Sequence, residues 1–331
     1  MLIIIDKEPF LTFAIPTYNR QEQLKECLDS IVKEIKKSWE SIEIFVSDNC
    51  SDDLTPNILS EYSAKYDFIR YQRNEKNLGV DMNIIISIKN SKGRYVWVFS
   101  DDDIVNEGAL NNIIEKIKGY EPDYISPDSY QFVTKDGKKI ITNEKVNKGI
   151  KQDYRSINLE RLLWFKRVEI GFISCVILKR DMVILDELWL EIRNYENFIQ
   201  LELTAQALSK WNGLITPIIA VGHRMDNARK SAFSADLKAW YKIFTIVFPY
   251  YFKKYSINKR VQRHTYSLWN NIFLFALVKM CGIVKDGNGI DRNVPMRSLD
   301  ILILKIPSPW ILFLYRIYHI IKYKRKFLNC F

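Results

Sequence analysis

Glycine is scarce in this 331-residue chain, and none of its 12 glycines stands in a GxGxxG or GxxxxGK[ST] run. In those runs glycine lets the backbone wrap a pyrophosphate or a triphosphate, so their absence argues against a dinucleotide dehydrogenase and a P-loop nucleoside triphosphatase. A Gly-x-Ser-x-Gly elbow is missing too, which speaks against the serine hydrolases built on it. Only three histidines occur, His223, His264 and His319, and they do not cluster at a metal spacing. The five cysteines are odd in number and far apart, with no pair at metal-ligand spacing. They are expected as reduced thiols of a protein on the cytosolic side. No stretch offers the about 18 uninterrupted apolar residues of a membrane-spanning helix. The opening MLIIIDKEPF has four apolar residues after Met1 before Asp6, too few for a signal peptide.

What is present is a folded balance, 47% apolar and 27% charged. The length exceeds what one hydrophobic core usually serves, and two regions are expected, residues 1–235 and 236–331. The net charge of +10 is unevenly placed: residues 251–331 carry 15 Lys/Arg against three acids, leaving −2 for residues 1–250. A local basic excess points to a polyanion, such as an anionic membrane or a nucleic acid.

Along the first hundred residues short β-rich runs alternate with helical patterns. LTFAI (11–15) stops at the turn PTYNR; EQLKECLDSIVKEI then places Leu24, Leu28, Ile31 and Ile35 at helical spacing. IEIFVSD (42–48) ends in DNCSDD, where Ser51, Asp52 and Asp53 are candidate helix caps. FIRYQ (68–72) is a third strand, NLGVDMNIIISIKNSKG a loop and a helix closed by Gly93, and RYVWVFS (94–100) a fourth, central strand. This alternation predicts a mostly parallel sheet with helices on both faces. Further on, a hairpin is expected around KDGKK, a buried strand within 168–180, a helix over NYENFIQLELTAQALSKW, and in LITPIIAVGHRMDNARKSAFS a strand running into a basic polar loop.

In such sheets ligands bind beyond the carboxyl ends of the strands. PTYN, SDNCSDD and SDDD all fall at strand ends, so the topology should bring them to one edge. Asp101, Asp102 and Asp103 stand in a row. One Asp suffices as a helix cap; three carboxylates suit a hard divalent cation, which takes oxygen ligands with substrate phosphates. Asp48 reads either as a turn residue or as an acceptor for ribose hydroxyls or a base N–H. His223, Arg224, Arg229 and Lys230 read as a solvated basic loop or as a clamp on a pyrophosphate.

AIPTYNR, FVSDNCSDD, RNEKNLGVDMN and GRYVWVFSDDDIVNEGAL resemble, in order and spacing, the family 2 glycosyltransferases of the GT-A fold, firmly over about residues 10–120 and loosely over 165–235. The resemblance implies inverting transfer of a sugar from a nucleotide-diphosphate donor, UDP favoured, with Mg²⁺ or Mn²⁺. The acceptor would be a hydroxyl of a glycan or lipid-linked glycan in surface polysaccharide biosynthesis. It assigns Pro16, Thr17 and Tyr18 to the nucleobase pocket, Asp48 to the base or ribose, and Arg73, Asn77 and Gly79 to the loop beside the nucleotide. Asp101 and Asp102 become the pair for ribose and metal, in preference to the Asp101-x-Asp103 register. Asp103 is left as a cap or supporting metal ligand. His223 and Arg224 fall where a loop closes on metal and pyrophosphate. The family's base is an Asp after Glu; this chain has Asn197 after Glu196, so Glu196 or Glu191 is the expected base.

Two rivals remain. A sugar-phosphate nucleotidyltransferase needs a Gly-rich basic loop near the N-terminus, and PTYNRQEQL has no glycine. A non-catalytic, membrane-bound assembly partner is motivated by Asn197. The tail SLDILILKIPSPWILFLYRIYHIIKYKRKFLNCF mixes aromatic and basic residues, with Pro307 and Pro309 breaking its helical pattern. It is expected to lie on an anionic leaflet rather than to bind nucleic acid. That places the protein in the cytoplasm, peripheral on the inner face of the membrane.

Overall fold

The computed structural model describes residues 8–165, 172–184, 199–225 and 248–266. They belong to two compact units, Met1–Asn227 and Ala228–Phe331. Glu191, Glu196, Asn197, Arg229, Lys230 and the basic aromatic stretch from 267 onward lie outside the described residues.

The four expected strands form: β1 (Leu11–Thr17), β2 (Ile42–Asp48), β3 (Ile69–Arg73) and β4 (Tyr95–Val98). They lie side by side as β3-β2-β1-β4, all parallel. Six more complete the sheet: β5 (Ile104–Val105), β6 (Tyr124–Lys135), β7 (Lys138–Asn143), β8 (Tyr154–Ile157), β9 (Val176–Lys179) and β10 (Gly213–Arg224). The full order is β3-β2-β1-β4-β9-β6-β10-β5, with β7 on β6 and β8 on β10. β9, the buried strand expected within 168–180, runs antiparallel between β4 and β6. β6 and β10 therefore point the same way as β1–β4, while β5, β7, β8 and β9 run against them.

Strand periodicity divides the core in two. Leu11, Phe13 and Ile15 of β1 and Tyr95, Trp97 and Phe99 around β4 face helices α1 (Gln21–Ile35), α2 (Thr55–Lys65) and α4 (Ala109–Tyr120). Ala14, Val96 and Val98 face the other way, onto α3 (Val80–Lys89), α5 (Leu159–Phe165) and α6 (Ile199–Ala207). Helices thus cover both faces, which is why β1, β2 and β4 are buried throughout. Phe13 and Trp97 stack at 4.9 Å between ring centres, with Phe99 edge-on to both. In α1, Leu24, Leu28 and Ile31 are buried as the spacing predicts, and Cys27 and Val32 join them.

Three local expectations change. Helix α3 ends at Lys89 with Asn90 as its cap, four residues before Gly93. A Cβ on Gly93 would stand 2.5 Å from the backbone nitrogen of Thr12, so this glycine serves a close backbone approach, not a helix end. Asp103 caps no helix: α4 begins at Ala109 after Gly108. None of the three candidate caps holds the N-cap of α2, which is Leu54; Asp53, just before it, accepts from Thr55 N at 2.9 Å and, across the junction, from Gln21 N at 3.1 Å at the start of α1. The KDGKK hairpin joins β6 to β7 through Asp136 and Gly137, both at positive φ, as a two-residue turn between paired strands requires.

In the second unit, helix α7 (Phe248–Lys254) buries Phe248, Tyr251 and Phe252. Phe248 stacks on Phe252 at 5.4 Å, and Tyr266 packs edge-on against both.

Candidate active site

Parallel register carries the polar clusters to one end of the sheet. Thr17 and Asp48 are the last paired residues of β1 and β2, and β4 ends just before the three aspartates. Thr17 Oγ1 donates to Asp101 Oδ2 at 2.8 Å, across 84 residues of sequence. Asp48 is fully buried. Its Oδ1 accepts the N–H of Ser51 at 3.1 Å. Arg73 Nε stands 3.3 Å from Oδ2 but out of hydrogen-bond alignment, so this buried oxygen has no hydrogen-bond partner. A buried carboxylate oxygen left so costs free energy that a ligand's donor would recover. Arg73 spends Nη2 on the carbonyl of Ser51 at 2.8 Å. Pro16 is buried in β1, and Tyr18 is half-buried beside Asp101, to which its N–H donates.

Beside Asp48 lies a network of asparagines of which the motif reading named Asn77 alone. Asn49 Nδ2 donates to Asn77 Oδ1 at 2.9 Å and to the carbonyl of Gly79 at 3.3 Å, and its Oδ1 accepts from Leu78 N at 2.9 Å. Asn83, buried on α3, donates to the carbonyls of Ser47 and Thr17 and accepts from Ser47 Oγ and Asn74 Nδ2. Together these bonds fasten the loop 74–79 to the ends of β1 and β2. Gly79 turns into α3 at φ +85°, where a side chain would be strained. Asn77 and Gly79 are exposed at the rim.

The three aspartates divide. Asp101 is buried and Asp102 half-buried. Asp102 Oδ1 accepts from Ser100 Oγ at 2.6 Å, and its Oδ2 pairs with Arg20 Nη1. Arg20 Nε lies 3.7 Å from Asp101 Oδ1. Burial pushes the Asp101 carboxyl up to about 7; Arg20 opposes this, the Asp102 charge adds to it, and the Thr17 hydroxyl and Tyr18 N–H pull it back. Asp103 points inward, away from its two neighbours' site. Its Oδ2 takes Ser174 Oγ at 2.6 Å and His223 Nδ1 at 2.9 Å, and its Oδ1 takes the N–H of Arg224 at 3.1 Å.

His223 and Arg224 lie in β10, paired with Gln131 and Phe132 of β6, and not in the closing loop where they were expected. His223 is 1% exposed. It lies between Asp103 and Cys175 Sγ, 3.5 Å from its Nε2, under the ring of Phe172 at 4.3 Å. Burial lowers its proton affinity, but the Asp103 carboxylate more than offsets this and holds it well above the ordinary imidazole value. Arg224 donates Nε to the carbonyl of Asp102 at 3.1 Å, pairs with Glu26 and Thr134, and lies 4.8 Å over the Phe132 ring. These contacts commit Asp103, His223 and Arg224 to holding the aspartate loop. As ligands for a divalent cation Asp103 and His223 are already engaged; Asp101 and Asp102 are the carboxylates left. Two hard oxygen donors on adjacent residues fit Mg²⁺ or Mn²⁺, which commonly take one or two carboxylates and complete their shell with phosphate and water. Among the described residues no group of three or more His, Cys, Asp or Glu could hold a metal alone. Ser174, Arg20, Asn49, Asn74 and Asn83 are the parts that motif reading missed.

Comparison with known proteins agrees with this geometry. The family model described as Glycosyl transferase family 2 matches residues 12–183. Over 101 residues the chain is 42% identical to the abequosyltransferase RfbV of Salmonella typhimurium, covering 30% of each protein. Over 112 residues it is 29% identical to the poly(ribitol-phosphate) beta-N-acetylglucosaminyltransferase TarP of Staphylococcus aureus, covering 34% of each. The matched stretch thus spans about a third of the length of these curated relatives. Among solved structures, S. aureus TarS 1–349 aligns over 87% of this chain and 76% of its own, with a TM-score of 0.53 at 16% identity. Its complex with UDP-GlcNAc aligns over 81% and 72%, at 0.55 and 15%. At that identity the likeness shows the shared GT-A fold.

Proposed function

This chain belongs to glycosyl transferase family 2, and from that premise we propose that it moves a sugar from a nucleotide-diphosphate donor to a hydroxyl of a glycan or lipid-linked glycan. A UDP-sugar is the favoured donor, and surface polysaccharide synthesis the favoured setting. The observation that carries the reading is the buried Oδ2 of Asp48, ion-paired with Arg73 but without a hydrogen bond, set among Thr17, Asp101 and Asp102 at the strand ends. That oxygen is an acceptor suited to a base N–H or a ribose hydroxyl. The printed functions of the relatives, an abequosyltransferase and a poly(ribitol-phosphate) transferase, support a polysaccharide precursor as substrate. The TarS complex supports a UDP-sugar donor.

In the proposed reaction the acceptor hydroxyl attacks the anomeric carbon from the face opposite the diphosphate. The new C–O bond forms as the bond to the diphosphate breaks, which inverts the centre. A carboxylate must take the hydroxyl proton; Glu196 and Glu191 are the candidates. Asp48, the Asn49–Asn77–Gly79 loop and Thr17 would seat the nucleoside, with Pro16 and Tyr18 at the base. Asp101 and Asp102 would hold Mg²⁺ or Mn²⁺, which when bound supplies the positive charge that the departing diphosphate needs. Arg224 and the Asp103–His223 pair keep Asp102 in place from behind. The basic C-terminal region would hold the enzyme peripherally on an anionic membrane, near a lipid-linked acceptor.

The test is nucleotide release from UDP-, GDP- and dTDP-sugars with Mn²⁺ and a lipid-linked acceptor extract. Activity with one donor that falls at least a hundredfold in Asp102→Ala is expected. Pyrophosphate release from a nucleoside triphosphate and sugar phosphate, with no donor turnover, would replace this reading with a nucleotidyltransferase.

A further inference from the structure

Arg20 and Arg224 both reach the aspartate loop, yet they are held in opposite ways. Arg224 is anchored on four sides, by Glu26, Thr134, the Phe132 ring and the carbonyl of Asp102, and its side chain is 4% exposed. Arg20 is fixed at its backbone and, beyond that, held by the two carboxylates alone. It is the N-cap residue of α1, its carbonyl accepting from Leu24 N at 2.9 Å, and its N–H reaches Thr55 Oγ1 at 3.4 Å. Its guanidinium touches the two carboxylates and is 24% exposed.

The four oxygens of the Asp101–Asp102 pair are divided with the same asymmetry. Asp101 Oδ2 is taken by Thr17 and Asp102 Oδ1 by Ser100, both neutral hydroxyls, and the Tyr18 N–H adds a further neutral donor to Asp101. The other two, Asp101 Oδ1 and Asp102 Oδ2, both face Arg20. They are the oxygens a divalent cation would require. The guanidinium therefore stands on the cation's own protein ligands.

We propose that Arg20 is an exchangeable counter-ion: it neutralises the Asp101–Asp102 pair until a metal-bound diphosphate arrives, then yields the two oxygens and turns its donors onto the diphosphate. This deepens the function proposed above and rests on it. The charges favour the exchange. Two carboxylates and one guanidinium leave −1; a divalent cation brings that to +1, and a diphosphate then suits both cations. A cation alone must displace Arg20 into solvent, whereas a cation with diphosphate gives the displaced arginine a partner. Metal and nucleotide should therefore bind with positive coupling, which by linkage is the same in either order. A planar, permanently charged fork suits both a carboxylate pair and a diphosphate.

The experiment uses the full-length protein and reads Mn²⁺ affinity directly, by electron paramagnetic resonance of free Mn²⁺, with and without UDP. In wild type, Mn²⁺ alone binds weakly and saturating UDP tightens it at least tenfold. In Arg20→Gln, Mn²⁺ alone binds about tenfold tighter than in wild type, and the enhancement by UDP shrinks. Arg20→Lys, which restores the charge, returns Mn²⁺ affinity to within about threefold of wild type. Unchanged Mn²⁺ affinity in a folded Arg20→Gln protein overturns the proposal. If neither variant folds, the wild type still decides: no coupling between Mn²⁺ and UDP overturns it. The Mn²⁺-only comparison is independent of the donor. Failure of wild type to bind any of UDP, GDP or dTDP, with Arg20→Gln still gaining Mn²⁺ affinity, would instead count against the function and leave the counter-ion role standing.

Discussion

Replacing Asp103 with Asn removes the charge around which the aspartate loop is anchored. Three donors converge on this carboxylate: Ser174 Oγ, His223 and the N–H of Arg224. An amide can accept on one side only, and its NH₂ would confront donors on the other. His223, 1% exposed, would then be left as a buried cation or lose its proton. Breaking a buried charge pair from one side costs about 3–5 kcal/mol. The lower end is expected here, because His223 can neutralise. At about 2–4 °C per kcal/mol for a domain of this size, the melting temperature should fall by roughly 6–12 °C. The pH dependence has a definite sign. His223 has a raised value in the folded state, so its contribution is complete below the unfolded value of 6.5 and is lost as pH rises through the folded value. The gap between wild type and Asp103→Asn should be widest in mildly acidic buffer and narrow in alkaline buffer. Thermal melts at pH 6 and pH 9, with His223→Gln and the double variant, check this. The two single changes should be strongly non-additive, coupled by about 2 kcal/mol. An Asp103→Asn protein that melts within 2 °C of wild type at pH 6 would refute the anchor.

Asp101 gives a slope of the same sign at lower pH, here because burial favours the neutral acid. Its carboxyl is raised from 3.8 to about 7, so the folded state binds the extra proton between those values and stability falls as pH rises across that window. The limit is about 1.4 kcal/mol per pH unit; urea unfolding in EDTA between pH 5 and 7.5 should show a loss that Asp101→Asn lacks, and equal slopes in both proteins would count against it. Asp48→Asn keeps an acceptor for Ser51 N but removes the charge at the oxygen that lacks a hydrogen bond. Calorimetry should show UDP binding weakened about tenfold, or about 1.4 kcal/mol, with the melting temperature nearly unchanged; unaltered affinity would remove Asp48 from the nucleotide site. Full-length protein should co-sediment with phosphatidylglycerol vesicles at low salt and release as salt rises, and truncation after about residue 295 should weaken it; no binding by the intact chain would dismiss the membrane role.

Local periodicity and strand-end chemistry were readable in the sequence by itself. Leu24, Leu28 and Ile31 mark α1 because a helix returns every 3.6 residues, and the uninterrupted runs of β1, β2 and β4 mark strands covered on both faces. Parallel topology then requires Thr17, Asp48 and the aspartates to share one edge, which four short motifs in order were enough to foresee. Tertiary structure alone decided the division of labour among those residues. Asp101, Asp102 and Asp103 are chemically identical and adjacent, so nothing in the sequence separates them. Their partners do: Thr17 and Arg20 lie 84 and 82 residues away from Asp101 and Asp102, Ser174 and His223 71 and 120 from Asp103. Local patterns cannot register contacts of that span. They also miss that His223 and Arg224 end a buried strand, because the antiparallel insertion of β9 and the pairing of β10 with β6 are set by packing between distant segments. The carboxylates were legible as a class; which of them is free to meet a ligand, and which is locked away, depends on the donors that folding brings to each.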